Sequence, residues 1–194
     1  MIRSFIAIDL EPVARARLGA IQDRLRIALR GEPVRWVRPE GIHLTLKFLG
    51  DQTRQSLEGM GDILKALARE AEVWHLSIAG VGCFPHASRP RVIWAGVHEA
   101  TGRLEVWARR LDEALAAAGI EPERRPFQPH LTFARFKDQL SPEGQRRLGG
   151  ALEELKSEPI ADSLASSVEL LRSELRPDGA VYTSLTRAPL GPSA

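Results

Sequence analysis

The sequence has one cysteine, Cys83, among 194 residues. A lone thiol excludes an intramolecular disulfide framework and any cysteine-rich zinc module. Net charge is nearly absent as well: 27 Lys and Arg stand against 25 Asp and Glu, a formal charge of +2. A chain so balanced does not coat DNA by bulk charge, which needs a large cationic excess. Long apolar runs are missing, and none approaches the length that crosses a bilayer. The opening Met1-Ile-Arg-Ser-Phe-Ile-Ala-Ile-Asp9 is interrupted too soon to read as a signal peptide. A soluble, cytoplasmic, monomeric protein is expected. The remaining composition, 43% hydrophobic and 27% charged, is ordinary for a globular chain. Specific chemistry must then rest on a few side chains.

Hydrophobic periodicity divides the chain into short elements. Residues 3–9 read as a strand, and Glu11-Pro12 opens a helix whose Leu18, Ile21, Leu25 and Leu29 share one face. A short strand follows Pro33. From His43 to Gly50 the pattern alternates, with Leu44, Leu46 and Phe48 on one face and His43, Thr45 and Lys47 on the other. A helix from about Thr53 to Glu70 and a strand from Trp74 to Val81 complete the first half. The second half reads as a strand over 91–97, a helix over 101–118 stopped by Gly119, a strand over 130–136, and a helix opened by Ser141-Pro142. Val168–Leu175 and Val181–Leu185 read as a hairpin about a Pro177-Asp178-Gly179 turn, and residues 188–194 as a flexible tail.

The order strand, helix, His-x-Thr strand, helix, strand thus occurs twice, over about 3–81 and 91–175, displaced by 87 or 88 residues. Arg3 falls on Arg91, Ala7 on Ala95, and Pro39 before His43 matches Pro126 before His130. This predicts one bilobal catalytic domain over 1–187, its two lobes related by a pseudo-twofold and lining one cleft.

With five histidines and six threonines, chance placement gives about 0.15 His-x-Thr matches. Two occur, at repeat-equivalent positions. On a strand, residues i and i+2 share a face about 7 Å apart, so each segment offers an imidazole beside a hydroxyl. Two such segments suit phosphodiester chemistry without a metal. One neutral His takes a proton from water and one imidazolium protonates the leaving oxygen, while Thr45 and Thr132 donate to non-bridging oxygens. Either histidine fits either role on sequence. His43, His75, His86, His98 and His130 form no His-Glu-x-x-His or Cys/His cluster, so neither metal nor cofactor is expected. His75-Leu-Ser77 is an imperfect third copy off the repeat position, and Cys83 has no evident base partner.

His43-Leu-Thr-Leu-Lys-Phe-Leu-Gly50 and Arg125-Pro-Phe-Gln-Pro-His130-Leu-Thr-Phe-Ala-Arg135 resemble the paired motifs of the two-histidine (2H) phosphoesterase superfamily. The segments 3–10, 89–94 and 170–182 resemble its RNA 2′,3′-cyclic phosphodiesterase branch, historically named 2′-5′ RNA ligase (LigT/ThpR-like). The resemblance implies an α+β fold of two mainly antiparallel sheets lining a central cleft, with helices outside. It implies hydrolysis of an RNA terminal 2′,3′-cyclic phosphate to a 2′-phosphomonoester, with His43 as proton donor and His130 as proton acceptor. Phe133 stands where a branched aliphatic residue is commoner in the second motif.

Further substrate contacts are expected around this pair. Lys47 shares the His43 face and can meet an RNA phosphate. Arg135 lies opposite Thr132 on a regular strand and reaches phosphate only through a bulge or a strand end. Arg89, Arg91, Trp36 and Phe127 are candidates for the RNA path, arginine pairing with phosphate and aromatics stacking on bases. The alternatives are a 2′-5′ RNA ligase running the reverse reaction, a non-catalytic RNA-end-binding module, and a small-molecule cyclic phosphodiesterase acting on a nucleotide-sugar or cyclic nucleotide product.

Overall fold

The computed structural model describes residues 1–176 and 179–191. Strands β1 (Ile2–Ile8), β2 (Val34–Trp36), β3 (Leu44–Gln52), β4 (Trp74–Phe84), β5 (Val92–His98), β6 (His130–Phe136), β7 (Pro159–Ala165), β8 (Ser167–Arg176) and β9 (Gly179–Pro189) are interspersed with four helices. These are α1 (Pro12–Ala28), α2 (Arg54–Arg69), α3 (Arg103–Ala117) and α4 (Pro142–Leu155). Their ends follow local chemistry. Thr53 caps α2 by accepting from the Ser56 amide at 3.1 Å, and Ser141 caps α4 through the Gly144 amide at 2.9 Å. Gly119, at φ +89°, ends α3 in a left-handed conformation that favours glycine.

The pairings are antiparallel, and the strand order is β7-β4-β5-β6-β3-β1-β8-β9, with β2 alongside β6. That order is a palindrome. Exchanging β6 with β3, β5 with β1, β4 with β8 and β7 with β9 reproduces it, which is the pseudo-twofold anticipated from the repeat. The two four-stranded halves meet at one register pair, Leu44 opposite Leu131. Helices α1 and α4 pack together on the β4 and β7 side, and α2 and α3 pack together on the β8, β9 and β3 side. The apolar faces of strands and helices close on one core, in which Ile8, Leu44, Ile93, Leu131 and Phe133 have no exposed surface.

Several expectations change. The lobes are not the two sequence repeats: β4, from the first repeat, pairs with β5, and β8, from the second, pairs with β1. Ile8 lies opposite Leu44 and Ala95 opposite Leu131, so β1 and β5 correspond at a displacement of 87. Ala7 is therefore equivalent to Trp94, not Ala95. Strand β7 escapes the periodicity reading because its polarity is inverted: Ser163 is buried, accepting from the Glu11 amide at 3.1 Å, while Leu164 is exposed. Residues 188–191 are packed rather than loose. Ala188 and Leu190 are buried, and the Leu190 and Gly191 amides donate to the carbonyls of Ser166 and Ala68. Pro177 and Asp178 of the expected turn, and residues 192–194 of the expected tail, lie outside the described residues.

One β-bulge in each central strand controls what the cleft contains. Along β3 the partners on β1 skip Leu46, so Ala7 faces Thr45 and Ile6 faces Lys47. Along β6 the partners on β5 skip Phe133, so Trp94 faces Thr132 and Ile93 faces Ala134. An extra residue on one strand inverts the in–out alternation beyond it. Lys47 and Ala134 are thereby buried on the helix side, and Phe48 and Arg135 turn to the cleft side.

Candidate active site

His43 and His130 flank the pair that joins the two halves. In an antiparallel ladder the neighbours of Leu44–Leu131 are His43 beside Thr132 and Thr45 beside His130. Both leucines point into the core, and all four polar side chains are partly exposed on the other face. Each imidazole therefore sits diagonally from its own threonine and next to the other motif's.

The two rings are held alike. Nδ1 of His43 donates to the Gly41 carbonyl at 2.8 Å, and Nδ1 of His130 donates to the Gln128 carbonyl at 2.7 Å. A carbonyl only accepts, so Nδ1 carries the proton and Nε2 is left to give or take one in the cleft.

Their surroundings differ. Phe5 stacks on His43 with centroids 4.7 Å apart, and Tyr182 of β9 meets both rings edge-on at 5.0 and 5.1 Å. Burial under these rings pushes the His43 pKa down to about 4. The Gly41 hydrogen bond and the Asp9 carboxylate pull upward, and the charges of Arg15 and Arg135 add to the depression. Burial raises the Tyr182 pKa, against the charges of Arg135, Arg35 and Arg3. His130 stands edge-on to Phe84 at 5.1 Å, and Phe84 lies 5.0 Å from Trp94 on the same face.

The secondary candidates separate cleanly. Arg135 lies on the His130 and Thr132 face because of the Phe133 bulge. That bulge is anchored from α1: Gln22, 1% exposed, donates through Nε2 to the carbonyls of Phe133 at 3.0 Å and Val37 at 2.7 Å. Lys47 does not face the cleft. The Leu46 bulge turns it behind the sheet, where Nζ bonds Asp112 Oδ1 at 2.5 Å and the Glu121 carbonyl at 2.7 Å. Trp36 does not line the cleft either: it is paired with Ala134 on the core side and carries the Arg26 guanidinium 5.3 Å above its ring. Phe127 is half-buried against the hydrophobic core. Arg89 and Arg91 are exposed in the segment leading into β5, and their backbones bond His86, Phe84 and Phe136. Phe133 is fully buried, as its place in the alternation predicts.

Sequence reasoning does not single out Tyr182, Phe5, Phe84 or Gln22 as parts of the site. Tyr182 is far from both motifs in sequence, and no short pattern connects it to His43. Among the described residues, no group of three His, Cys, Asp or Glu stands together as metal ligands.

The model of the LigT like Phosphoesterase family matches the chain twice, over residues 8–94 and 96–182. The chain belongs to this family. Each match contains one His-x-Thr segment, as the palindromic sheet requires. Among curated relatives, the RNA 2′,3′-cyclic phosphodiesterase of Methanothermobacter thermautotrophicus is 35% identical over 184 residues, covering 95% of this chain and 96% of its own. That of Aquifex aeolicus is 30% identical, covering 98% of both chains. A crystal structure of a Thermus thermophilus protein superposes with a TM-score of 0.76 at 31% identity, covering 98% of this chain and all of that one. Escherichia coli LigT, crystallised with 3′-AMP, superposes with a TM-score of 0.77 at 22% identity and covers 97% of this chain and 98% of its own, a likeness of fold.

Proposed function

We propose that this LigT-like phosphoesterase hydrolyses the 2′,3′-cyclic phosphate at the end of an RNA chain to a 2′-phosphomonoester, without a metal. The observation that carries the reading is the pair of His-x-Thr segments side by side at Leu44–Leu131, each with Nδ1 tied to a carbonyl. The curated relatives named above add that RNA 2′,3′-cyclic phosphodiesterases share most of this chain's length.

In this reading His130 Nε2 takes a proton from water as the water oxygen bonds to phosphorus. The bond from phosphorus to the 3′ oxygen breaks, and His43 Nε2–H gives that oxygen its proton. Thr45 and Thr132 donate to the non-bridging oxygens, and Arg135 supplies positive charge beside them. One water is consumed, and the products are a 2′-phosphate and a free 3′ hydroxyl. Both histidines come from one chain, so a monomer suffices, and a cytoplasmic setting suits a chain with one thiol.

The test is turnover of an RNA ending in a 2′,3′-cyclic phosphate, in excess chelator, by the wild type, His43→Ala and His130→Ala. Wild-type turnover that persists with chelator and falls at least about a hundredfold in both variants supports the reading. Binding without turnover, or loss of activity on chelation, overturns it. A bell-shaped pH profile is expected from one protonated and one neutral imidazole, and a monotonic rise through neutrality counts against the pair.

A further inference from the structure

Arg35 on β2 lies directly opposite Arg135 on β6, both on the cleft side. Like charges opposed across a ladder are destabilising. Arg24, Arg110 and Arg147 are each relieved by a carboxylate, but among the described residues Arg35 and Arg135 meet none. Arg35 instead donates through Nη2 to the Arg176 carbonyl at 3.3 Å, which ties its guanidinium to the end of the β8–β9 hairpin. Two adjacent guanidinium groups without a counter-charge are built for an anion, and arginine's planar fork matches phosphate oxygens two at a time.

The two arginines lie at different depths. Arg135 follows Thr132 on β6, the strand that carries His130, whereas Arg35 lies on the short neighbouring strand β2 and reaches the hairpin end. Arg135 therefore serves the reacting phosphate, and Arg35 stands one step outward. The opposite end of this sheet face is unsuited to a polyanion: the row from His98 through Ser77 ends at Asp162, which accepts from Ser77 Oγ at 3.0 Å.

We propose that Arg35 binds the internal phosphodiester preceding the terminal cyclic phosphate, so that the RNA chain leaves the cleft between β2 and the β8–β9 hairpin. The proposal rests on the phosphodiesterase reading and adds to it a preference for a chain over a single nucleotide.

The experiment compares two substrates with the full-length protein: a nucleoside 2′,3′-cyclic phosphate, which has no internal phosphodiester, and the dinucleotide ending in the same group. The wild type should favour the dinucleotide, and in Arg35→Gln the ratio of the two kcat/KM values should fall about tenfold. Arg35→Lys should recover part of that ratio, and the salt dependence of kcat/KM on the dinucleotide should weaken by about 0.7 of a log unit per log unit in Arg35→Gln. Thermal melting of each variant checks that it is folded. An unchanged ratio in folded Arg35→Gln overturns the assignment while leaving the phosphodiesterase reading intact. A wild type inactive on both substrates overturns that reading itself.

Discussion

Leu44 and Leu131 face each other as the register pair that joins the two halves of the sheet. The residues that join the halves are thus the ones that separate each histidine from its threonine. Core packing of two leucines with no exposed surface sets the geometry of four polar groups on the other side.

Before phosphate binds, His43 is neutral near pH 7, because burial holds its pKa near 4. To serve as proton donor it must take up a proton as the phosphate arrives, the anion offsetting the cost of a buried charge. Calorimetric titration with a 2′-nucleotide product, in buffers of different ionisation enthalpy, should register about one more proton taken up by the wild type than by His43→Asn. Equal uptake by both would make His43 the acceptor and His130 the donor.

The same depression acts on stability. The unfolded chain protonates this histidine near pH 6.5 and the folded one only near 4, so the unfolded state binds more protons between those values. Stability is unaffected above pH 6.5, declines as pH falls, and stops declining on this account below about 4. The loss amounts to about 3 kcal/mol at most. Urea midpoints measured across this window should fall more steeply for the wild type than for His43→Asn. Parallel curves would show that burial does not penalise the imidazolium.

Tyr182 covers the His43–Gly41 hydrogen bond. A Cβ added at Gly41 would stand 3.3 Å from Tyr182 Cε2, so the phenol ring sits on the carbonyl segment and on the imidazole together. Tyr182→Leu should lower kcat about tenfold with little change in KM and return the His43 pKa towards 6.5, followed by proton NMR titration. Tyr182→Phe keeps the ring and should retain both values. A pKa unmoved in the leucine variant would assign the ring to packing alone.

Gln22 reaches the catalytic face through the backbone. Its amide satisfies the Phe133 and Val37 carbonyls, and so holds the bulge that turns Arg135 into the cleft. Gln22→Leu leaves the Val37 carbonyl without its donor and the Phe133 carbonyl with the Val37 amide alone, and should destabilise by about 1–3 kcal/mol. Kinetically, Gln22→Leu and Arg135→Gln should be non-additive, since each removes the same guanidinium from the phosphate. Additive losses in kcat/KM would separate the bulge from the arginine.

The motifs, the repeat and most elements are legible in the sequence because they rest on signals that hydrophobic patterning carries well. Period-two alternation sets His43 with Thr45, and His130 with Thr132, on one strand face. The bulges are not legible in the same way. Leu46-Lys47 and Phe133-Ala134 read as ordinary alternation, yet a one-residue slip buries Lys47 against Asp112 and brings Arg135 forward. Arg135 needs such a slip to share the His130 face and has it, whereas regular alternation misplaces Lys47 by one residue. Tyr182 and Arg35 reach the cleft through strand pairings that skip most of the chain, which local sequence does not encode. The exchange of β4 and β8 between repeats is invisible for the same reason: element order is unchanged by it.

That exchange has a mechanical outcome. A protein of two independent lobes on a hinge can open and shut like jaws, but here each half of the sheet is completed by a strand from the other repeat, and α1 from the first anchors a bulge in the second. The chain therefore crosses repeatedly between the two halves, and both halves close on one hydrophobic core, so relative motion of the walls would have to shear that core. The groove is accordingly rigid and ready-made, and the entropy lost on binding falls on the RNA end that must fit it. Discrimination among RNA ends then follows from the shape the substrate can adopt, not from any closure of the enzyme.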